Sequence, residues 1–350
     1  MDLYLFHHDE YERLYNCSIY NVEQIPLEKR QHKILGIFFI VLSTIYEILY
    51  IPCMFSIWKL MAKINCYKIM FVIGVLDMAA ILCAGFFTGY LGYFGYVFCS
   101  SPTFIYLAGT FGFSCWITES TIEGVLAINR CVKIWSSELS IKIFDGKLFF
   151  WLGIPILYGL SIQMWSKPGL FSGVYFSWFR NPHIGYINDV NQEYVNTHPI
   201  LAFHNPLIIS ILLSTYLTFC IIFLFKQGGF QSNQQSYSEK MIFLQVFLIS
   251  LFNTVTASIY LFMQYIHVNE VIIIIGQICW LNVHGIPPVI YLTMNKSIRS
   301  DCFKISKNCV NATKQGYKNL LSNTTQFIRH INFLKEDNQV TVINQQMYQN

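Results

Sequence analysis

The chain has 350 residues, of which 54% are hydrophobic and only 12% are charged, and its formal net charge is +4. Soluble domains usually contain about 25% charged residues. This composition therefore excludes a water-soluble globular fold, and the chain is expected to lie in a membrane. A small positive excess on such a chain favours contact with anionic lipids and gives no reason to expect nucleic acid as a partner.

The first 33 residues (1–33) precede any long apolar segment and form a polar N-terminal arm. Asn16, Cys17 and Ser18 make an N-glycosylation sequon, so Asn16 is a candidate for modification if this arm is extracellular. Such sequons also arise by chance, and an unmodified Asn16 remains the alternative.

Seven apolar segments follow over residues 34–295, and each reaches or approaches the ~20 residues that a helix needs to cross a bilayer. Most of them are apolar on all sides, unlike the helices of soluble proteins. We predict an all-α bundle of seven transmembrane helices. The predicted spans, one to seven, are Ile34–Trp58, Ile69–Phe94, Thr103–Asn129, Leu148–Trp165, His204–Phe225, Met241–Ile266 and Val271–Thr293.

The basic residues are distributed unevenly between the two sides of the predicted bundle. The segments on the side of the C-terminal tail hold 17 Lys and Arg residues, and those on the side of the N-terminal arm hold six. Basic residues accumulate on the cytoplasmic side of membrane proteins. The N-terminus is therefore predicted to lie outside and the C-terminus inside.

The eleven cysteines show no metal-binding spacing and no CxxC pair. Only Cys17 and Cys99 are predicted on the outer side, where disulfides persist. They make the one plausible extracellular disulfide, with two free thiols as the alternative.

Four carboxylates lie inside the predicted spans, whereas every Lys and Arg lies in a loop, a tail or a span end. A charged group at the centre of a bilayer costs roughly 2.5–3.5 kcal/mol on insertion scales, so these acids should face protein or water. They should be protonated, share a proton, bind a cation such as sodium, or hydrogen-bond to neighbouring polar groups. Asp77 and Glu119 are the candidates for such a polar or cation site, and the other two acids are Glu47 and Glu123.

Span seven combines a polar and aromatic face with the consecutive prolines Pro287 and Pro288. Prolines remove backbone donors and clash with the preceding turn, so the helix should kink before its cytoplasmic end. The residues that share the face, which we predict to point into the bundle, are Gln277, Trp280, His284 and Tyr291.

The segment after span seven predicts a short amphipathic helix over residues 296–309, suited to the inner membrane surface. Its apolar stripe includes Cys302 and Cys309, which are candidates for palmitoylation, although unmodified packing residues fit equally well. Residues 310–350 are rich in Asn and Gln and predict a disordered cytoplasmic tail.

These features together resemble the rhodopsin-like G-protein-coupled receptors. The resemblance rests on seven spans with an outer N-terminus, Asp77 in span two, Asn-Arg-Cys at 129–131 and Pro-Val-Ile-Tyr at 288–291. Segments 124–135 (GVLAINRCVKIW) and 285–299 (GIPPVIYLTMNKSIR) resemble more closely the nematode serpentine chemoreceptors of class T, the Srt family.

The resemblance implies a role for several of these residues. Arg130 would meet a heterotrimeric G protein when the inner ends of the helices open, and Pro288 and Tyr291 would form the activation switch of span seven. Asp77 would be the acid of a sodium pocket. Two departures stand out: Asn129 replaces the acid that usually precedes the arginine, and Pro287 replaces a polar partner of Asp77, for which His284 can compensate.

The resemblance also implies a ligand and a location. An unknown small molecule would bind in the outer half of the bundle, and no cofactor and no enzymatic reaction are expected. The chain would be a multi-pass protein of the cell membrane, with the ciliary membrane of chemosensory neurons as an expected site. The aromatic residues predicted to contact the ligand are Phe104, Tyr106, Trp178 and Trp280. The alternative for each of them is a place in the belt of aromatic residues at the membrane interface.

One other function fits the buried acids: a small-solute transporter or ligand-gated cation channel that uses them as an ion path. Seven-helix carriers contain two repeated three-helix halves, and the first three and last three spans here show no such similarity. A ligand-evoked current that persists without G proteins would favour this alternative.

Overall fold

A computed structural model describes residues 1–18, 21–62, 65–187, 200–227, 233–265, 268–308, 310–316, 318–319 and 324–325. The chain divides into two compact units, Met1–Arg299 and Ser300–Asn350. The first unit contains the arm and the helical bundle.

Seven long helical segments confirm the predicted seven-helix fold, with ends that differ from the predicted bounds by a few residues. Span three continues two turns beyond its predicted end, because Arg130–Trp135 keeps helical periodicity after the apolar stretch stops. The observed spans are Lys33–Met61, Asn65–Ile81 with Leu82–Phe87 and Thr88–Phe94, Pro102–Trp135, Leu148–Trp165, Ile200–Gln227, Asn233–Tyr265, and Glu270–Gly285 with Pro287–Met294.

Not every span is apolar enough to be recognised by length and hydropathy alone. Among the described residues, four helices are long and apolar enough to cross a membrane, and the bent pair of span seven makes a fifth. Span three carries Glu119 and Glu123, and both are buried inside the bundle. A helix whose polar residues face other helices can cross a bilayer at a lower mean hydropathy, since the lipid meets only its apolar side.

Spans one and two approach each other closely. A Cβ atom on Gly36 would lie 2.7 Å from the carbonyl oxygen of Gly89, and one on Gly89 would lie 2.8 Å from the carbonyl oxygen of Gly36. Small residues of this kind allow helix backbones to pack together where lipid supplies no hydrophobic force between helices.

Two irregularities shape the bundle. Span two contains a π-helical stretch over Leu82–Phe87, a form often associated with functional sites. Span seven bends by 48° between Glu270–Gly285 and Pro287–Met294. This bend confirms the predicted kink, because neither Pro287 nor Pro288 can donate a backbone hydrogen bond.

The N-terminal arm folds over the end of the bundle that is predicted to face the outside, and this end is called the outer end below. Its helices are Asp2–Leu5, His8–Leu14 and Leu27–Arg30, with a 3₁₀ turn at Val22–Gln24. Tyr11, Leu14 and Tyr15 are buried in the main hydrophobic core. Cys17 and Cys99 are joined by a disulfide, which ties the arm to the 3₁₀ turn Phe98–Ser100 before span three.

A β-hairpin between spans four and five also covers the outer end. Its strands, β1 (Leu170–Ser172) and β2 (Ser177–Phe179), are antiparallel, with Phe171 opposite Trp178. Phe176 in the turn has a φ of 52°, an unfavourable value for a side chain other than glycine. Its ring is completely buried and lies 5.1 Å from the ring of Phe39 in span one, so packing stabilises the conformation.

At the inner end, the helix Ser137–Phe144 connects spans three and four. Residues 296–308 are helical, in agreement with the prediction for this segment. Residues 310–316 and 318–319 are helical too, although they belong to the tail predicted to be disordered, and most of that tail lies outside the described residues.

The disulfide supplies a test of the arm's role. Replacing Cys17 and Cys99 together by serine should lower the free energy of unfolding by roughly 2–4 kcal/mol, because the bond closes a long loop in the unfolded chain. The measurement is the thermal unfolding midpoint of the purified protein with and without reductant. Cys279→Ser is the matched control, since Cys279 is a free and half-buried thiol. An unchanged midpoint in the double variant would show that the arm is held by packing alone.

Candidate functional site

A buried polar cluster lies in the middle of the bundle, centred on Asp77 of span two. Tyr50 in span one donates a hydrogen bond to Oδ2 of Asp77 at 2.6 Å, and Nδ1 of His284 in span seven lies 2.9 Å from Oδ1. All three side chains are 0% exposed. Three spans therefore meet at one carboxylate.

Glu119 of span three completes this cluster. One ligand atom from each of Asp77, Glu119 and His284 lies within 4.8 Å of the others. Neither oxygen of Glu119 meets the geometry of a hydrogen bond, and Nε2 of His284 also has no partner among the described residues. The structure thus brings together the three residues predicted for an intramembrane polar or cation site.

Glu123 lies one turn further along span three and is paired differently. The amide of Asn253 in span six donates a hydrogen bond to its Oε2. Oε1 of Glu123 has no hydrogen-bond partner among the described residues, and the same is true of Oε1 of the half-buried Glu47. The described salt bridges include no Lys or Arg at any of these acids.

A cavity of about 100 Å³ opens between the outer halves of the spans, beneath the hairpin. Trp178 of β2 and Trp280 of span seven, two of the four aromatic residues predicted for the ligand pocket, line it. Sequence reasoning did not identify the remaining lining residues, because they come from four different segments whose registers it could not place. They are Phe113, Trp116, Lys167, Gly169, Arg180, Asn205 and Tyr260, and Phe179 at the end of β2 completes the lining.

The structure places the other two aromatic residues predicted for the ligand pocket, Phe104 and Tyr106, outside this cavity. The Phe104 side chain is 38% exposed and packs against Phe87, so it does not face this cavity. Tyr106 is covered by the N-terminal arm, and its ring lies 5.1 Å from that of Tyr11. It lines a second cavity, of about 390 Å³, between the arm and the outer end of span four.

The floor of the first cavity touches the polar cluster. The ring of Trp116 lies 6.1 Å from the ring of His284, and the ring of Trp280 lies 6.4 Å from it, both in edge-to-face geometry. Aromatic pairs at such distances interact favourably in this arrangement. A molecule in the cavity would therefore be separated from Asp77 only by an indole and an imidazole.

The hairpin above the cavity is held by side-chain hydrogen bonds to spans two and seven. The indole Nε1 of Trp178 donates to Oγ1 of Thr88 at 2.8 Å, and the hydroxyl of Ser177 donates to Oε1 of Gln277 at 3.2 Å. The amide of Gln277 donates to the carbonyl of Ala84 at 3.2 Å. Gln277, which was predicted to point into the bundle, therefore holds the hairpin in place over the cavity.

Arg130 lies at the inner end of span three, in a crevice of about 20 Å³ that residues of spans five and six also line. Its Nη2 lies 3.8 Å from the sulfur of Met70, and none of the described salt bridges includes it. The neighbouring Asn129 is buried and carries no charge that could pair with it. Pro288 and Tyr291 are buried in the segment after the bend.

The candidate modification sites stay predictions. The side-chain oxygen of Asn16 accepts hydrogen bonds from the backbone and the hydroxyl of Ser18, at 2.8 and 2.7 Å. Cys302 is buried, whereas Cys309 lies outside the described residues.

The seven-helix bundle has the fold of the G-protein-coupled receptors. The chain belongs to the family described as serpentine type 7TM GPCR chemoreceptor Srt, whose profile matches residues 2–315. The resemblance seen in the sequence is thereby confirmed. Membership in this family makes the chain a multi-pass membrane receptor rather than an enzyme.

Individual proteins that are similar to it include the following two. Serpentine receptor class T-55 of Caenorhabditis elegans is 23% identical over 286 residues, which cover 80% of this chain and 76% of that protein. The crystal structure of squid rhodopsin superimposes with a TM-score of 0.54 at 13% identity, covering 79% of this chain and 87% of that one. At this identity the likeness to squid rhodopsin concerns the fold alone.

The contact between the hairpin and span three supplies a test of the cavity's construction. A Cβ atom on Gly109 would lie 1.7 Å from the carbonyl oxygen of Gly169, so Gly109→Ala should push the hairpin away from the bundle. Overpacking of this kind costs about 1–3 kcal/mol, and the thermal unfolding midpoint should fall accordingly.

Gly153→Ala is the matched control for this substitution, because a Cβ atom there meets nothing within 4 Å. Alanine is the better helix former by about 1 kcal/mol, so this variant should be at least as stable as the unaltered protein. Equal midpoints for the two variants would contradict the close packing of the hairpin.

Proposed function

We propose that the chain is a chemosensory receptor that binds an external small molecule in the cavity beneath the hairpin and activates a heterotrimeric G protein. The observation that carries the proposal is the contact of Trp116 and Trp280 with His284. Through this contact a molecule in the outer half of the bundle can influence the polar cluster at its centre.

The cavity has the character of a small-molecule site. Ligand pockets are usually concave and largely apolar, with a few polar groups that orient the ligand. Aromatic side chains form most of the wall here, and Asn205, Lys167 and Arg180 supply the polar groups. The cavity lies close to the outer end, which a ligand outside the cell would reach first.

A ligand changes the conformation only if its affinity differs between two states of the receptor. An occupant of the cavity would alter the position of Trp116 or Trp280, and with it the hydrogen bond between His284 and Asp77. Because Tyr50 binds the same carboxylate, this change would reach spans one, two and seven together.

The bend in span seven supplies a movable element beside this cluster. Asn282 accepts a hydrogen bond from the hydroxyl of Tyr46 at 2.6 Å, and His284 lies just before the bend. The segment Pro287–Met294, which contains Pro288 and Tyr291, lies immediately beyond it. Movement of this segment against span one would change the inner end of the bundle.

The inner end would then accept the G protein at Arg130. Its guanidinium forms no ion pair in the described structure, and Asn129 cannot supply one. The arginine is therefore held in its crevice by packing and weak contacts, which an opening of spans five and six would release.

The polar cluster is also suited to a cation such as sodium, and this property forms part of the proposal. Buried carboxylate oxygens without partners are costly, and a cation or a proton would satisfy them. Asp77 and Glu119 would hold the ion, and His284 would orient Asp77. A bound cation would favour the arrangement in which these groups stay together.

Arg130→Ala should abolish ligand-dependent G-protein activation while leaving expression at the cell surface unchanged. The assay is nucleotide exchange on a co-expressed G protein, with surface receptor measured in the same cells. Lys133→Ala is the control, since Lys133 is an exposed cation one turn further along the same helix. Undiminished signalling by the Arg130 variant would contradict the assignment.

A ligand-evoked current that persists without G proteins would indicate the transporter or channel alternative instead.

Asp77→Asn and Glu119→Gln should each change how the response depends on sodium concentration and pH, because each removes one charge from the cluster. The groups that face them are Tyr50, His284 and Glu123. Concentration–response curves measured at several sodium concentrations and pH values provide the test. Asp145→Asn, which neutralises an exposed acid at the inner end, should leave the curves unchanged. Identical dependence in all variants would reduce Asp77 and Glu119 to structural polar groups.

The ciliary membrane of chemosensory neurons is the expected location of a receptor with this function. Its partners would be the G protein, the external ligand and the surrounding lipids, with the amphipathic helix at 296–308 on the inner lipid surface.

A further inference from the structure

The hydroxyl of Thr88 lies where the π-helical stretch Leu82–Phe87 ends, and its side chain is completely buried. It donates a hydrogen bond to the carbonyl of Cys83 at 2.8 Å. It accepts one from the indole Nε1 of Trp178 at 2.8 Å and one from the amide of Gln277 at 3.3 Å. A hydroxyl has one donor and two acceptor positions. All three positions of this hydroxyl are therefore used, and they connect span two with the hairpin and with span seven.

Side chains bind two carbonyls of the π-helical stretch. The carbonyl of Cys83 accepts hydrogen bonds from both the hydroxyl and the backbone N–H of Thr88, and the carbonyl of Ala84 accepts one from the amide of Gln277 at 3.2 Å. π-Helical turns are rare in proteins and occur mostly as single-turn interruptions of α-helices. The hydrogen bonds from Thr88 and Gln277 therefore stabilise a turn that is less favourable than the α-helix around it.

Two aromatic residues of the cavity beneath the hairpin contact these hydrogen-bonding groups. Trp178 binds Thr88 directly, and the hydroxyl of Tyr260 lies 3.5 Å from Oε1 of Gln277. The same oxygen accepts a hydrogen bond from the hydroxyl of Ser177 in β2 at 3.2 Å. A molecule that displaced either ring would therefore disturb a hydrogen bond of Thr88 or Gln277.

The π-helical stretch separates two parts of span two that are held by different neighbours. The inner part carries Asp77, which binds Tyr50 and His284. The outer part packs against span one at Gly89, where a Cβ atom would lie 2.8 Å from the carbonyl oxygen of Gly36. A π-helical turn contains an extra residue, so its loss would rotate one part against the other by about 100°. A change in this turn would therefore move Asp77 relative to the outer end of the bundle.

We propose that Thr88 is a positioning residue that couples the hairpin above the cavity to the polar cluster through span two. Its hydroxyl holds the indole of Trp178 over the cavity and stabilises the π-helical turn at the same time. Displacement of the indole by a ligand weakens the turn and changes the position of Asp77. This route is separate from the contact of two indoles with His284, and its effect on signalling rests on the proposed function.

The first test measures hydrogen exchange of the backbone amides of residues 82–92 in the full-length receptor in lipid nanodiscs. Thr88→Val keeps the shape of the side chain and removes the hydroxyl, so these amides should exchange at least tenfold faster. Thr88→Ser retains a hydroxyl and should keep the exchange rate of the unaltered protein. Thr44→Val is the matched control, because the exposed hydroxyl of Thr44 in span one donates to the carbonyl of Ile40 in its own helix at 2.8 Å. An unchanged exchange rate in Thr88→Val would overturn the proposal.

A change in the hairpin should alter span two as well. Trp178→Phe removes the indole N–H and leaves the sequence of span two intact, so it should also accelerate exchange over residues 82–92. The double variant with Thr88→Val should exchange no faster than the faster single variant, because the bond between the two residues is already lost. Effects that multiply in the double variant would overturn the coupling. Trp165→Phe, which alters an indole that is 64% exposed at the end of span four, is the control. Trp178→Phe decides the test by itself if Thr88→Val fails to fold.

The second test asks whether the coupling reaches the inner end of the bundle. It measures ligand-independent nucleotide exchange on a co-expressed G protein, corrected for the amount of receptor at the cell surface. Thr88→Val and Trp178→Phe should each raise this exchange at least threefold, because the indole is no longer held in its resting position, and Thr88→Ser should leave it unchanged. Unaltered nucleotide exchange in both variants, in cells where the unaltered receptor activates the G protein, would overturn the role of Thr88 in signalling.

The two measurements separate this inference from the proposed function. If the receptor activates the G protein but hydrogen exchange in span two is the same in all variants, the receptor function stands and the coupling through Thr88 is wrong. If hydrogen exchange changes as expected but no G protein responds to the unaltered receptor or to any variant, the coupling stands and the proposed function is wrong.

Discussion

The hydrogen bond between Asp77 and His284 is the interaction on which the rest of the bundle depends. It joins spans two and seven at a point where both side chains are completely buried, and Tyr50 of span one binds the same carboxylate. A carboxylate inside a membrane has few ways to avoid its desolvation cost. Here a tyrosine hydroxyl and an imidazole from two neighbouring helices bind it, which fixes the relative positions of three spans.

The outer end is closed by two structures that serve different purposes. The N-terminal arm covers Tyr106 and is tied down by the disulfide at Cys99, whereas the hairpin covers the cavity and contributes Trp178, Lys167 and Arg180 to its wall. The buried ring of Phe176 anchors the hairpin turn. The two covers are in contact, since Nε2 of His32 at the end of the arm lies 2.8 Å from the carbonyl oxygen of Gly173 in the hairpin turn.

Helical periodicity predicted the inward-facing residues correctly where the helix had one clearly polar face. His284, Trp280 and Gln277 share a face of span seven, and all three point into the bundle as expected. Phe104 and Tyr106 were assigned to the pocket from aromatic character alone. That signal is ambiguous, because aromatic residues near a span end can lie partly exposed on the outside of the bundle, as Phe104 does, or pack under another segment, as Tyr106 does.

The amino-acid sequence by itself determined the number of spans, the bend at Pro287 and Pro288, the family, and three residues of the central cluster, Asp77, Glu119 and His284. It did not indicate Tyr50, the fourth residue of that cluster. Each of these depends on local composition or on spacing along one helix. Only the tertiary structure decided that Lys167, Arg180 and Asn205 share one cavity with three tryptophans, and that two of those indoles touch His284. These residues come from separate spans and a loop, and their proximity depends on how the helices rotate and pack against one another, which periodicity within a single segment does not specify.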